Sequence, residues 1–265
     1  MTKKDDILTV EGIKNCLTTS FIGKEIHIFD TIDSTNNHAR KIAKEGAGGG
    51  TVVLAESQTK GKGRLGRTWF SPSGVNIYLS VILKPQIPST HITLLTFVSA
   101  IAAVKAIKDA ANLDANIKWP NDVLINNKKV GGILSEMDVK ADAVRFAVIG
   151  IGINVNLDAK DIPLELKDKA TSIMIESNST IDRMDLICRV LENLEEWYNL
   201  FERNGVNDII KEWKSLAVTI GRDVKVQSGN SLIEGRAVDI DENGALLIKD
   251  RNGVIQRVLS GDVMQ

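Results

Sequence analysis

Thr51-Val52-Val53-Leu54-Ala55 runs through Gln58-Thr59-Lys60 into Gly61-Lys62-Gly63-Arg64-Leu65-Gly66-Arg67, and Val75 to Leu83 follows as a second apolar alternation. The first run is β-branched and reads as a buried strand, the second as another strand, with residues 58–68 as the loop between them. Three glycines let that loop fold closely over a ligand with its N–H groups turned inward. Lys62, Arg64 and Arg67 add positive charge suited to phosphate or carboxylate. Taken alone, the loop reads more readily as a solvated basic turn that binds nothing. Gly61 to Thr68 comes within one residue of the phosphate-loop pattern GxxxxGK[ST], but Arg67 stands where the lysine is needed, and Gln58-Thr59-Lys60 is no buried strand end. A phosphate-loop NTPase is excluded.

Working outward, residues 24–30 alternate as a strand, and Asp33-Ser34-Thr35 reads as the cap of a helix over Asn37 to Glu45, ended by the glycines after it. Residues 90–111 form a long apolar-faced helix. Short strands at 117–119 and 122–125 flank a Pro120-Asn121 turn, a second turn falls at Asn126-Asn127-Lys128, and 130–138 pairs with 143–156. A helix starting at Asp182 carries Ile187, Leu191, Leu194, Tyr198 and Phe201 at helical spacing up to Gly205. Past Leu216, β-type runs at 223–226, 233–240, 245–249 and 254–258 alternate with turns at Ser228-Gly229-Asn230, Asn243-Gly244 and Asn252-Gly253. The expectation is an α+β domain over 1–216 and a small SH3-like β-barrel over 217–265.

Lys and Arg number 33 against 34 acidic residues, so no net charge draws the chain to nucleic acid or to a membrane surface. Cys16 and Cys188 lie far apart and predict neither a disulfide framework nor a metal motif, and His27, His38 and His91 have no ligand spacing. No apolar signal core follows Met1, and the apolar stretch 94–104 is short for a membrane span. A cytoplasmic protein without a membrane segment is expected.

Lys118-Trp119-Pro120-Asn121-Asp122 surrounds its proline turn with polar groups, and Lys129-Val130-Gly131-Gly132 places paired glycines in a strand, a mark of close approach by a ligand or another backbone. Gly150-Ile151-Gly152 half-matches a dinucleotide fingerprint but lacks the third glycine and alternates as a strand. Together with Ser34-Thr35-Asn36, Gln58, the Gly61–Arg67 loop, Trp69 and Gly152-Ile153-Asn154, these segments resemble the biotin–protein ligases in order and spacing over residues 24–158. That family's loop usually reads GRGRxGR; Lys62 replaces its first arginine. The resemblance implies a mixed-sheet catalytic domain of the class II synthetase-like, lipoate–biotin ligase type. It also implies ATP-dependent activation of biotin with Mg²⁺, followed by transfer to a lysine of a biotin carboxyl carrier protein.

By the same resemblance, Ser34, Thr35, Asn36, Gln58, Lys62, Gly63, Arg64, Lys129, Gly131 and Gly132 would hold biotin. Arg64, Arg67, Trp69, Lys118, Asn121, Lys129 and Asn154 would hold ATP, and Asp122 a metal ion. Arg64, Lys129 and Lys118 would carry the chemistry, and residues 58–69 would act as a lid. Only some 23 residues precede the resemblance, so the form without a DNA-binding domain is expected; a homodimer stays open. A lipoate–protein ligase and a non-catalytic biotin-binding module remain the alternatives.

Overall fold

The computed structural model describes residues 7–140, 143–229 and 231–264. Seven strands make one mixed sheet: β1 (Ile26–Ile32), β2 (Val52–Gln58), β3 (Ile77–Leu83), β4 (Asn116–Lys118), β5 (Asp122–Ile125), β6 (Lys128–Lys140) and β7 (Ala143–Ile153). Their order is β1-β2-β3-β7-β6-β5-β4; β1 and β2 run parallel and every other pair antiparallel. Parallel neighbours need a crossover, and helix α2 (Thr35–Glu45) supplies it. The crossover ends in a left-handed Gly46, as the glycine run predicts.

Both faces of the central strands are covered, which is why their sequences lack a polar alternation. Val53, Ile82 and Val148 meet Ala39 and Ala43 of α2 on one face. Val52, Leu54, Val81 and Ile149 join the main core on the other, with α3 (Leu94–Ala111) and α5 (Arg183–Asn204). Among the described residues α3 is the helix long and apolar enough to cross a membrane, longer in that respect than the stretch read from the sequence, but 72% of its apolar window is buried inside the protein. It is the core helix. Asp182 caps α5 by accepting from Met184 N at 2.8 Å and Asp185 N at 3.1 Å. At Gly205 the chain turns at once into α6 (Val206–Leu216), which the sequence reading did not separate. Helices α1 (Val10–Cys16) and α4 (Ile173–Ser177) were also not expected.

A five-stranded antiparallel sheet follows: β8 (Asp223–Ser228), β9 (Ser231–Ile240), β10 (Leu246–Lys249), β11 (Ile255–Val258) and β12 (Asp262–Met264), in the order β11-β10-β9-β8-β12. The first four are the predicted hairpin runs; β12 was missed, and Asn230 of the expected first turn lies outside the described residues. This sheet is fastened to the large one. Trp119 Nε1 donates to Gly244 O at 3.0 Å, Trp119 N donates to Thr219 Oγ1 at 2.9 Å, and Thr93 Oγ1 donates to Asn243 O at 2.7 Å. The Asn243-Gly244 hairpin is therefore both a turn and a docking point.

The cysteines correct the sequence reading. Despite a separation of 172 residues, Cys16 at the end of α1 and the buried Cys188 of α5 are joined as a disulfide, their Cα atoms 6.2 Å apart. Distance along the chain carried no information, because α1 folds back onto α5. A cross-link closing so long a loop removes chain entropy worth up to about 5 kcal/mol from the unfolded state. Protein purified and unfolded without reductant should therefore show no titratable thiol, and Cys16→Ser should unfold at lower denaturant; two free thiols in the unreduced wild type would contradict the pairing.

Candidate active site

A cavity of about 480 Å³, the size of a small-molecule site, opens on the sheet face that carries α2. Strand alternation selects its floor: Tyr78 on β3 pairs with Gly152 on β7, which pairs with Gly132 on β6, and one step along the strands Gly150 pairs with Leu134. The glycines are required by what lies on them. A β-carbon at Gly152 would fall 2.7 Å from the Trp69 ring, and one at Gly150 would overlap the Asn36 carboxamide. Two side chains thus rest on bare backbone.

At the end under α2, Ser34, Thr35, Asn36 and Gln58 come together as the sequence suggested. Gln58, the last residue of β2 rather than a loop residue, accepts from Thr35 N at 2.9 Å and from Thr35 Oγ1 at 3.2 Å, while its Nε2 donates to Ser71 Oγ at 3.1 Å. It therefore caps the helix. Ser34 holds the N-cap position and is buried, but its hydroxyl makes no capping bond. Buried Ser80 donates to Asn36 Oδ1 at 2.6 Å; the Asn36 Nδ2 donates to Leu134 O at 3.3 Å and to Glu136 Oε2 at 3.0 Å. Lys62 reaches the same Glu136 at 3.6 Å.

At the other end lie the cations. The expected lid is folded as a small hairpin, with Lys62 bridged to Thr68, Gly63 N donating to Arg67 O at 2.7 Å and Trp69 N to Gly61 O at 2.9 Å. Arg64 reaches inward, donating to Asn121 Oδ1 at 3.0 Å and to Gly261 O at 3.3 Å, and Arg67 pairs with Asp262. Lys129 pairs with Asp122 at 2.6 Å and stands 5.3 Å from the centre of the Trp69 ring. Burial pushes the Lys118 ammonium below the usual lysine range; Lys129 adds to that fall, and Asp122 opposes it. Burial likewise lowers the Arg64 guanidinium, which stays charged because its ordinary value is so high.

Lys62, Gly63, Asn121, Asp122, Gly132 and Asn154 also line the cavity. Asn121 Nδ2 donates to Ile133 O at 2.8 Å and Asn154 Nδ2 to Thr171 O at 2.9 Å, so both amides also tie backbone together. Gly131 does not line it. One residue before Gly132 on the same strand, it faces the opposite side, where a β-carbon would meet Gly152 O at 3.1 Å and Val123. The glycine pair was read as one feature, and strand alternation divides it. Sequence reasoning also missed an apolar wall of Leu157, Ile162, Pro163 and Leu166, and Asp262 and Val263 from β12. The wall lies on an irregular segment with no periodicity to find, and Asp262 arrives from the second sheet, 195 residues beyond Arg67.

Residues 28–154 match the Biotin/lipoate A/B protein ligase family, and residues 219–264 match the Biotin protein ligase C terminal domain. The bifunctional ligase/repressor BirA of Bacillus subtilis is 39% identical over 261 residues, covering 98% of this chain and 80% of that protein. The biotin–[acetyl-CoA-carboxylase] ligase of Paracoccus denitrificans is 33% identical over 226 residues, or 83% of this chain and 92% of that one. The chain belongs to the biotin–protein ligase family. The fold agrees: the biotin protein ligase of Aquifex aeolicus in complex with biotin and ATP superimposes with a TM-score of 0.78 at 31% identity, covering 91% of this chain and 98% of that one.

For a biotin–protein ligase cavity, two further features bear on a nucleotide. The Trp69 Nε1 is buried without a hydrogen-bond partner, and its ring, resting on Gly152 and against Gly132, forms a flat apolar surface beside Lys129. Among the described residues no cluster of three His, Cys, Asp or Glu forms a closed metal site. Single carboxylates at Asp122 and Asp262 suit an ion that keeps its waters and arrives with phosphates. Lys118 gives a pH test. With its pKa lowered, it loses its charge at lower pH than a solvated lysine, so kcat/KM for ATP should fall on the alkaline side through that pKa. Lys118→Arg should move this limb to higher pH; an unmoved limb would assign it to another group.

Proposed function

We propose that this chain is an ATP-dependent ligase that converts biotin to biotinyl-5′-AMP and transfers it to one lysine of a biotin carboxyl carrier protein. The observation that carries the reading is a single cavity with a neutral hydrogen-bonding end at Ser34, Thr35, Asn36 and Gln58 and a cationic end at Arg64, Lys118 and Lys129. Biotin has the matching polarity: a neutral ureido ring that must be hydrogen-bonded when buried, and a carboxylate at the end of its chain. In the first step a carboxylate oxygen attacks the α-phosphorus of ATP and pyrophosphate departs. In the second, the carrier amine attacks the biotinyl carbonyl, the C–N bond forms, AMP leaves with the C–O bond's electrons, and the amine loses its proton.

The obstacle in the first step is repulsion between carboxylate and triphosphate. Fixed positive charge from Arg64 and Lys129, supported by Lys118, offsets it where charge develops. In this reading the Trp69 ring covers the adenine, Arg67, Asn121 and Asn154 attend the phosphates, and Lys62, Gly63 and Gly132 border the biotin chain. Asp122 would hold Mg²⁺, which supplies neutralisation of the phosphate oxygens. Gly131 has no place in the pocket. The match of residues 219–264 to the biotin-specific terminal domain favours biotin over lipoate.

Biotin-dependent exchange between ATP and labelled pyrophosphate tests the reading, with lipoate as the competing substrate. Exchange supported by biotin and not by lipoate is expected; the reverse, or none with either, would refute it. Arg64→Ala and Lys129→Ala should each lower exchange by about a hundredfold while the fold is retained. Near-wild-type exchange in both would remove the proposed charge mechanism.

A further inference from the structure

The hydrogen-bonding end of the cavity is backed by two polar residues that do not line it, Ser80 on β3 and Glu136 on β6. Ser80 is fully buried, and Thr35 and Asn36 are each 4% exposed. Polar groups in so dry a place need partners, and the partners present decide which way each group points.

Glu136 sets the direction. As a carboxylate it accepts hydrogen bonds and donates none. Asn36 turns its Nδ2 to Glu136 Oε2 at 3.0 Å and to Leu134 O at 3.3 Å, which uses both amide hydrogens. The opposite orientation would set Asn36 Oδ1 against a carboxylate and a carbonyl. With Oδ1 on the other side, Asn36 takes the Ser80 hydroxyl hydrogen at 2.6 Å. Ser80 Oγ also lies 2.9 Å from Thr35 Oγ1, but its one hydrogen is already given to Asn36, so there it accepts. Gln58 Oε1 is a second acceptor for the Thr35 hydrogen, at 3.2 Å. Whichever of the two takes it, Thr35 is left with lone pairs to offer a ligand. Asn36, with no hydrogen left, is in the same position.

We propose that Glu136 is a positioning residue for recognition of the ureido ring: through Asn36 and Ser80 it keeps this corner of the cavity an acceptor of ligand N–H groups. The proposal rests on the ligase reading and states what that site selects. A cyclic urea has N–H groups to donate, and the dithiolane ring of lipoate has none. Were Asn36 reversed, its Nδ2 would donate to Ser80 and keep a free hydrogen. Ser80 would then donate to Thr35 and occupy one of its lone pairs. Glu136 Oε1 also stands 3.6 Å from Lys62 Nζ, so its charge on the loop has to be separated from its place in this chain.

Glu136→Met and Glu136→Gln make that separation in the full chain, read by calorimetry with biotin and by biotin-dependent pyrophosphate exchange. Methionine removes the acceptor, at a side chain 24% exposed where it needs no repacking of the core. Glutamine keeps a carbonyl oxygen for Asn36 but no charge for Lys62. Glu136→Met should raise Kd and KM for biotin about tenfold, the worth of one ligand hydrogen bond, and leave kcat at saturating biotin unchanged. Glu136→Gln should stay within about twofold of the wild type on the same scale. In a Ser80→Ala background Glu136→Met should add less than about twofold, because residues acting through one another are not additive. For biotin methylated on both ureido nitrogens, which has no N–H, Glu136→Met and the wild type should bind alike. Wild-type biotin affinity in Glu136→Met would overturn the proposal. So would equal losses in the Met and Gln variants, which would assign the effect to Lys62, and so would an undiminished loss in the Ser80→Ala background or with the methylated ligand. A wild type that binds no biotin would count instead against the ligase reading.

Discussion

The site depends on one strand having no side chains where two others must lie. On β7, Gly150 and Gly152 face the cavity, and Asn36 and Trp69 rest on their backbone from opposite ends. Any β-carbon there would lift one of these groups into the cavity. The strand's other face has no such freedom: Ile149, Ile151 and Ile153 are core residues against α3 and α5. A bare floor on one side and a packed core on the other explain why this strand reads Ile-Gly-Ile-Gly-Ile, with alternation between glycine and isoleucine in place of polar and apolar.

Charge is the second constraint. The cations at one end of the cavity are drawn from three places in the chain, and the protein balances Lys129, Arg67 and Arg64 with its own oxygens. Lys129 has Asp122, Arg67 has Asp262, and Arg64 has the Asn121 and Gly261 carbonyl oxygens. Two of these partners come from the terminal part of the chain, Asp262 in β12 and Gly261 just before it. The terminal sheet therefore helps to shape the cationic end of the cavity, and its docking through Trp119 and Gly244 bears on the Gly61–Arg67 loop as well as on stability.

Much of this was legible because it is local. The β-branched run before the basic loop, the glycine that ends α2, the aspartate that caps α5 and the Asn-Gly hairpins all carry their structural meaning within a few residues. What stayed hidden depends on the tertiary fold. Ser34 reads as a helix cap and holds that position, but its hydroxyl makes no capping bond, and the Thr35 N–H is satisfied by Gln58, 23 residues beyond Thr35. Gly131 and Gly132 look equivalent until the strand puts them on opposite faces. Cys16 and Cys188, and Arg67 and Asp262, meet only because distant elements pack together. The apolar wall at Leu157 to Leu166 has no period to betray it.

Comparison of substrate binding to Gly150→Ala and Gly152→Ala tests the central claim most directly. By calorimetry, Gly150→Ala should weaken biotin binding by displacing Asn36, with nucleotide binding at saturating biotin little changed. Gly152→Ala should weaken nucleotide binding by displacing Trp69, with biotin affinity retained. Wild-type affinities for both substrates in both variants would contradict the account, because the bare floor of β7 would then not be what the two substrates require.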